Sequence, residues 1–183
     1  AGEIQAVITP DEKNRIQKIP TQNLEAYDLF LKGVDLLKIG GNQNLKQSIV
    51  LFDEAISKDN TFALAYACAG MACYYLDMFQ AEKTYVDKLG AYADKAVLHD
   101  AKLAESLMTK GLYYLNRKEY KEALPYLERA LEYNPNSTEV LGLLADFYYM
   151  YLPNTGKYLE YALKGLKLNA NSGDSISISY FHL

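Results

Sequence analysis

The sequence predicts an all-α fold, a solenoid of antiparallel helix pairs laid side by side. Three observations carry that expectation. The stretch Gly111 to Pro135, GLYYLNRKEYKEALPYLERALEYNP, reads as one helix–turn–helix unit, with a polar turn at Asn116-Arg117-Lys118 and a proline stop. Small residues recur at Gly33, Gly70, Gly111 and Ala145, at intervals of 37, 41 and 34 residues, each inside a predicted helix. A second helix with its own small-residue stripe follows each of them. A mid-helix glycine costs about 1 kcal/mol relative to alanine, so a closely packed neighbouring helix must offset it.

The elements follow in order. Thr9-Pro10-Asp11-Glu12 is a helix start, with Thr as cap, Pro at the first helical position and Glu three residues after the cap. This short helix is expected to run to about Lys18. Ile19 precedes Pro20 and is pushed toward extended backbone. Thr21 or Asn23 then caps the first long helix. Residues 1–21 are thus a short helix and linker, and residues 22–183 an array. Its units are expected at about 26–62, 63–103, 104–137 and 138–171, with a truncated fifth helix over 172–183.

The second helices carry Ser48, Phe52, Ala55 and Ile56; then Leu89, Ala93, Ala96 and Val97; then Ala123, Leu127, Ala130 and Leu131; then Tyr158, Ala162, Gly165 and Leu166. Spacings of four, three and one place each set on one helix face. Turn signals close them: Asp59-Asn60, Asp100-Ala101, Asn134-Pro135 and Asn169-Ala170. Extra residues fall between the paired helices, at Gly40 to Asn44 and around Met78 to Asp87, where a repeat array tolerates insertions. Pro125 breaks a local rule, because it removes one hydrogen bond inside the third unit's second helix. An exposed bend is the expected accommodation.

The third unit, through Leu107, Gly111, Tyr114, Ala123, Leu127, Ala130 and Pro135, resembles the tetratricopeptide repeat (TPR). It departs at Leu107, where the family favours Trp, and at Lys110, where it favours Leu. The other units depart further, with Ser48, Leu89 and Gly165 for Ala and with Asn60 and Ala101 for Pro. The resemblance covers about residues 24–171. It implies a right-handed TPR-like superhelix whose first helices line a concave face that binds extended peptides or helices. Residues 3–33 also resemble the junction opening the TPR region of certain bacterial adenylate-cyclase-like and winged-helix signalling proteins, through Pro20, Thr21, Asn23, Ala26, Tyr27, Leu31 and Gly33.

The concave face is expected to expose Tyr27, Phe30, Val34 and Leu37 from the first unit, and Leu64, Ala67, Met71, Tyr74 and Tyr75 from the second. Met108, Leu112 and Leu115 follow from the third, then Gly142, Asp146 and Tyr149 from the fourth. The expected peptide groove comprises Tyr27, Phe30, Val34, Leu37, Leu64, Met71, Tyr74, Tyr75, Met108, Leu112, Leu115 and Tyr149. Some TPR domains clamp a terminal carboxylate with Lys and Asn. The corresponding places here hold Phe30, Val34 and Cys68, so the resemblance implies no such clamp. An apolar groove suits an apolar strand or the apolar side of a helix. Plain packing and self-association through the same face are the competing readings.

Composition bounds the remaining classes. At 50% hydrophobic and 23% charged, the chain has enough apolar residues to fold. A net charge of -4 argues against nucleic acid as the main ligand. Lys110, Arg117, Lys118 and Lys121 are interleaved with Glu119 and Glu122, which reads as a mixed-charge surface. Cys68 and Cys73 point about 140° apart on one helix and cannot pair with each other. They are expected as core residues in a reducing compartment. No apolar run suits a membrane span. His99 and His182, the only histidines, lie far apart. No zinc spacing, phosphate-cradling Gly-rich loop or nucleophile motif occurs. The expectation is a non-enzymatic scaffold with a protein or peptide partner, and no catalytic residue, cofactor, metal, nucleic acid or membrane. It is placed in the cytoplasm, or in the periplasm if a parent chain is exported. The alternative is a regulatory or homodimerising segment of a bacterial multidomain signalling protein, contacting its own output domain.

Overall fold

The computed structural model describes residues 19–172. The helix expected from Thr9 and the partial fifth helix after Ser172 lie outside the described residues. Among those residues there are eight helices and no strand: α1 (Leu24–Ile39), α2 (Asn42–Lys58), α3 (Ala63–Met78), α4 (Val86–His99), α5 (Ala104–Asn116), α6 (Tyr120–Tyr133), α7 (Thr138–Met150) and α8 (Thr155–Ser172). They pack as consecutive antiparallel pairs, and each pair stacks on the next. The solenoid expected from the glycine spacing is the fold.

Local chemistry sets the helix ends. Asn23, not Thr21, is the cap of α1, its Oδ1 accepting from the Ala26 N–H at 3.0 Å. Thr21 instead donates to Asp59 Oδ2 at 2.6 Å, tying the chain entry to the end of α2. Ser137 caps α7 by accepting from Val140 N–H at 3.3 Å. The end expected at Asn169-Ala170 is not observed, since α8 runs on to Ser172. No proline or glycine breaks the helix at that point, Asn169 is buried, and alanine is the strongest helix former. α6 is continuous across Pro125, which is exposed, so water can serve the carbonyl left without a donor.

The small residues do what their spacing demands. A Cβ added at Gly33 would lie 2.6 Å from the Phe52 ring, and one at Gly111 would lie 2.7 Å from Leu127 Cδ2. Both contacts are within a pair, first helix to second. Gly70 differs. It meets the Thr109 methyl of the next pair's first helix, so there the small residue serves stacking between pairs. Gly90 accommodates the Tyr113 ring in the same junction, 2.7 Å from an added Cβ.

The core forms two clusters, one from the first two pairs and one from the last two. A polar seam on α5 joins them. Ser106 Oγ donates to the Ala96 carbonyl at 3.2 Å, Thr109 Oγ1 to the Ala67 carbonyl at 3.0 Å, and Asn116 Nδ2 to Asp77 Oδ2 at 3.1 Å. All three donors are buried, and each is satisfied by the preceding pair, so burial carries no unpaired-donor penalty. Tyr74 packs against both clusters at the same junction.

Candidate functional site

A groove of about 460 Å³ runs along the first helices of all four pairs, α1, α3, α5 and α7. Phe30, Val34 and Leu37 of α1, and Leu64, Cys68, Met71 and Tyr75 of α3, recur every three or four residues and so share one helix face. Met108 and Leu143 continue the apolar floor on α5 and α7. Gly142 also lines the groove, and a Cβ built there meets nothing within 4 Å.

Of the twelve residues expected in the peptide groove, seven line it: Phe30, Val34, Leu37, Leu64, Met71, Tyr75 and Met108; Gly142 and Asp146, expected on the same face, line it too, whereas Ala67 is buried in the core. The other five of the twelve lie elsewhere. Tyr27 sits off the groove, half-buried, its ring stacked on Phe30 at 6.2 Å. Tyr74 is wedged between the two core clusters. Leu112 and Leu115 are buried in the second cluster. Tyr149 is 68% exposed and rests against Tyr158, outside the groove. The reason is geometric. The groove takes residues 30–38 of α1, 64–78 of α3, only 104–108 of α5, and 138–146 of α7. It therefore crosses the stack obliquely, and residues one or two turns further along α5 and α7 leave it. A face read helix by helix misses that drift.

Charged residues mark the two ends. Lys38 closes the groove at the end of α1, while Glu105, Glu139 and Asp146 lie on α5 and α7. The sequence pattern did not single out Glu105 or Glu139. Each lies in the first turn of its helix, where an acid is favoured by the helix dipole and so reads as an ordinary start signal. Burial holds the Glu105 carboxyl above the usual carboxylate range. Its own backbone N–H opposes that shift, and the negative charges of Glu139 and Asp100 add to it. Ser137 Oγ donates to Glu139 Oε2 at 3.1 Å.

Nucleophilic chemistry finds little support in this lining. Burial pushes the Cys68 thiol far up, with Glu105 and Glu139 adding to the effect, so the sulfur stays a neutral apolar surface. Cys73, pushed up to about 12 mainly by burial, is likewise a core thiol. Both cysteines are free. His99 stacks on Tyr66 at 5.6 Å, away from the groove residues. Lys110 pairs with Asp94 at 2.6 Å, and Arg117 with Glu119 at 2.7 Å, so two of the four bases in the local basic run are paired with acids. Among the described residues no cluster of three His, Cys, Asp or Glu could hold a metal, and no helix is long and apolar enough to cross a membrane.

Residues 104–137 match the tetratricopeptide repeat family model. That segment is the α5–α6 pair with its connecting turn and the turn that follows it, and the whole stack is TPR-like in architecture. The fold is similar to the solved structure of a MamA RS-1 ArsTM double mutant, with a TM-score of 0.56 and 14% identity over 84% of this chain and 80% of that one. At such identity the likeness concerns the fold alone. YrrB, described as a TPR protein with an unusual peptide-binding site, aligns over 94% of this chain and 97% of that one at 16% identity, with a TM-score of 0.44. No curated protein sequence matches this chain significantly.

Proposed function

We propose that the protein is a non-enzymatic interaction scaffold that takes an apolar or amphipathic peptide or helix in its concave groove. One observation carries the reading: the four first helices converge on a continuous apolar groove of about 460 Å³. Side chains serving only the core would close on one another, as Leu112 and Leu115 do. Those lining the groove leave room for several side chains of a partner. Burying one Leu-sized anchor there would contribute about 1.5–3 kcal/mol before ordering costs.

Gly142 provides the cleanest test. Gly142→Phe projects into open groove space and leaves the pair contacts untouched. With a fluorescein-labelled amphipathic Leu-rich peptide as probe, anisotropy should show binding to the native chain and at least a tenfold loss in the variant, at unchanged melting temperature. Met71→Glu should also weaken binding by placing a charge on the floor. Absence of binding to the native chain would refute the proposal. A mass that doubles with concentration in light scattering, and stays single in Gly142→Phe, would turn it into self-association.

A further inference from the structure

We propose that the groove's occupant is a cationic amphipathic segment: an apolar face bordered by Lys or Arg at the end lying over α5 and α7. This rests on the groove reading above and adds the partner's charge. The floor is apolar, but its charges are segregated. Glu105, Glu139 and Asp146 gather on α5 and α7, and the base Lys38 stands at the α1 end. Cys68, Glu105 and Glu139 all line the same groove, and the Glu139 charge adds to the upward shift that burial imposes on Glu105.

Acids elsewhere on the surface are of two kinds: some, such as Glu54, Glu122 and Glu132, are exposed with no ion pair among the described residues, and others are paired. Glu25, Asp53, Asp94, Glu119 and Glu160 each have a lysine or arginine within 3.3 Å. Among the described residues, neither Glu105 nor Glu139 has one. The first-turn position explains why a negative charge is tolerated there. It does not explain why both side chains border the apolar groove. A cation brought to this wall by a partner would offset the negative charge around the half-buried Glu105, where charge complementarity discriminates more than at a fully exposed acid. An anionic partner would meet the opposite, a like-charge penalty on top of the desolvation of its carboxylates. The same partner's acidic or carboxylate end would suit Lys38, so the charge gradient also assigns a direction.

The test uses the full chain and two synthetic amphipathic peptides with identical Leu/Ala faces, one bordered by Lys and one by Glu. Anisotropy at low salt should give at least tenfold tighter binding of the Lys peptide. That preference should fall several-fold in the double variant Glu105→Gln, Glu139→Gln. It should persist in the control Glu122→Gln, Glu132→Gln, which removes the same charge from the exposed face of α6. Equal losses in both double variants would mean that net charge alone selects, and would overturn the proposal. Equal binding of the two peptides, both blocked by Gly142→Phe, would overturn it while leaving the groove reading intact. Binding of neither peptide would overturn both. A second copy of the chain displacing the peptides would name a different occupant and also overturn the cationic one.

Discussion

Turns between pairs and turns within pairs differ sharply in how much they vary. The three turns between pairs, 59–62, 100–103 and 134–137, are four residues each. Each begins with an extended residue whose N–H closes the preceding helix: Asp59 (φ -143°, ψ 98°) on the Ala55 carbonyl, Asp100 (-151°, 94°) on Ala96, and Asn134 (-132°, 81°) on Ala130. The turns within pairs also close their helices, as Gly40 does on Leu36, Arg117 on Tyr113 and Tyr151 on Phe147, but they share neither a length nor an extended first residue. Gly40 and Gly41 suffice between α1 and α2, both at positive φ. Residues 79–85 join α3 to α4, 117–119 join α5 to α6, and 151–154 join α7 to α8. A fixed turn sets how one pair is stacked on the next. Within a pair the helix contact itself sets the geometry, at Gly33 against Phe52 and Gly111 against Leu127, so the connection only has to reach.

The long connection breaks most easily, because one side chain holds it. The buried Asp77 carboxylate accepts from Thr84 N–H at 2.9 Å, Tyr85 N–H at 2.9 Å and Asn116 Nδ2 at 3.1 Å. Asp77→Ala leaves these donors facing an apolar gap and should cost roughly 2–4 kcal/mol in urea unfolding. Amide exchange should speed up over residues 79–85 before it does elsewhere. Asp77→Asn, which keeps one acceptor oxygen, should cost less. An unchanged midpoint for Asp77→Ala would mean that this turn, like the others within pairs, needs no brace.

Gly111→Leu attacks the helix contact instead of the turn. The added side chain would strike Leu127, which is fully buried and has little room to yield. Overpacking of this sort costs about 1–3 kcal/mol. The loss should appear in thermal melting without any change in the α5–α6 turn. An unaltered melting temperature would refute the claim that pairs are set by contact.

Asp59 Oδ1 accepts from Thr61 N–H at 2.9 Å, and Asp100 Oδ1 from Lys102 N–H and Leu103 N–H at 3.0 and 3.1 Å. Asp100→Ala should cost about 1 kcal/mol, near the net worth of one such hydrogen bond. Asp59 adds a pH signature. Hydrogen bonds from Thr21, then Thr61, hold its carboxyl below the usual carboxylate range. A lowered folded-state value means its contribution is complete above the unfolded value of about 3.9 and disappears as pH falls through the folded one. Asp59→Asn should therefore flatten that part of the acid-unfolding curve, as followed by helical circular dichroism.

Which parts could be read from sequence follows from the same contrast. Helix pairing was readable because a small residue must recur wherever two backbones approach, and the turn signals Asp59, Asp100 and Asn134 recur with it. Asp77 was not, because its partners come from a loop and from the next pair, and a lone acid near a helix end carries no periodic mark. The groove was readable where it follows one helix face, as at Phe30, Val34 and Leu37. It was misread at Leu112, Leu115 and Tyr149, because the oblique track depends on how all four pairs are rotated in the stack.

The smallest effect belongs to the shortest polar turn. Lys118 has φ 62°, the left-handed region that a side chain with a Cβ disfavours and glycine adopts freely. It is exposed, and no ion pair engages it among the described residues. The backbone around it is well satisfied, with its own N–H on the Leu115 carbonyl at 3.0 Å and the Glu119 N–H on the Tyr114 carbonyl at 2.9 Å. Lys118→Gly keeps both bonds and removes the Cβ strain, but it also adds freedom to the unfolded chain. The two effects oppose, and the relief should win by a few tenths to about 1 kcal/mol. A small rise in thermal midpoint is expected, with helicity unchanged. A fall would mean that the third pair's turn is held by the Lys118 side chain, and that within-pair turns carry more of the geometry than the helix contacts allow.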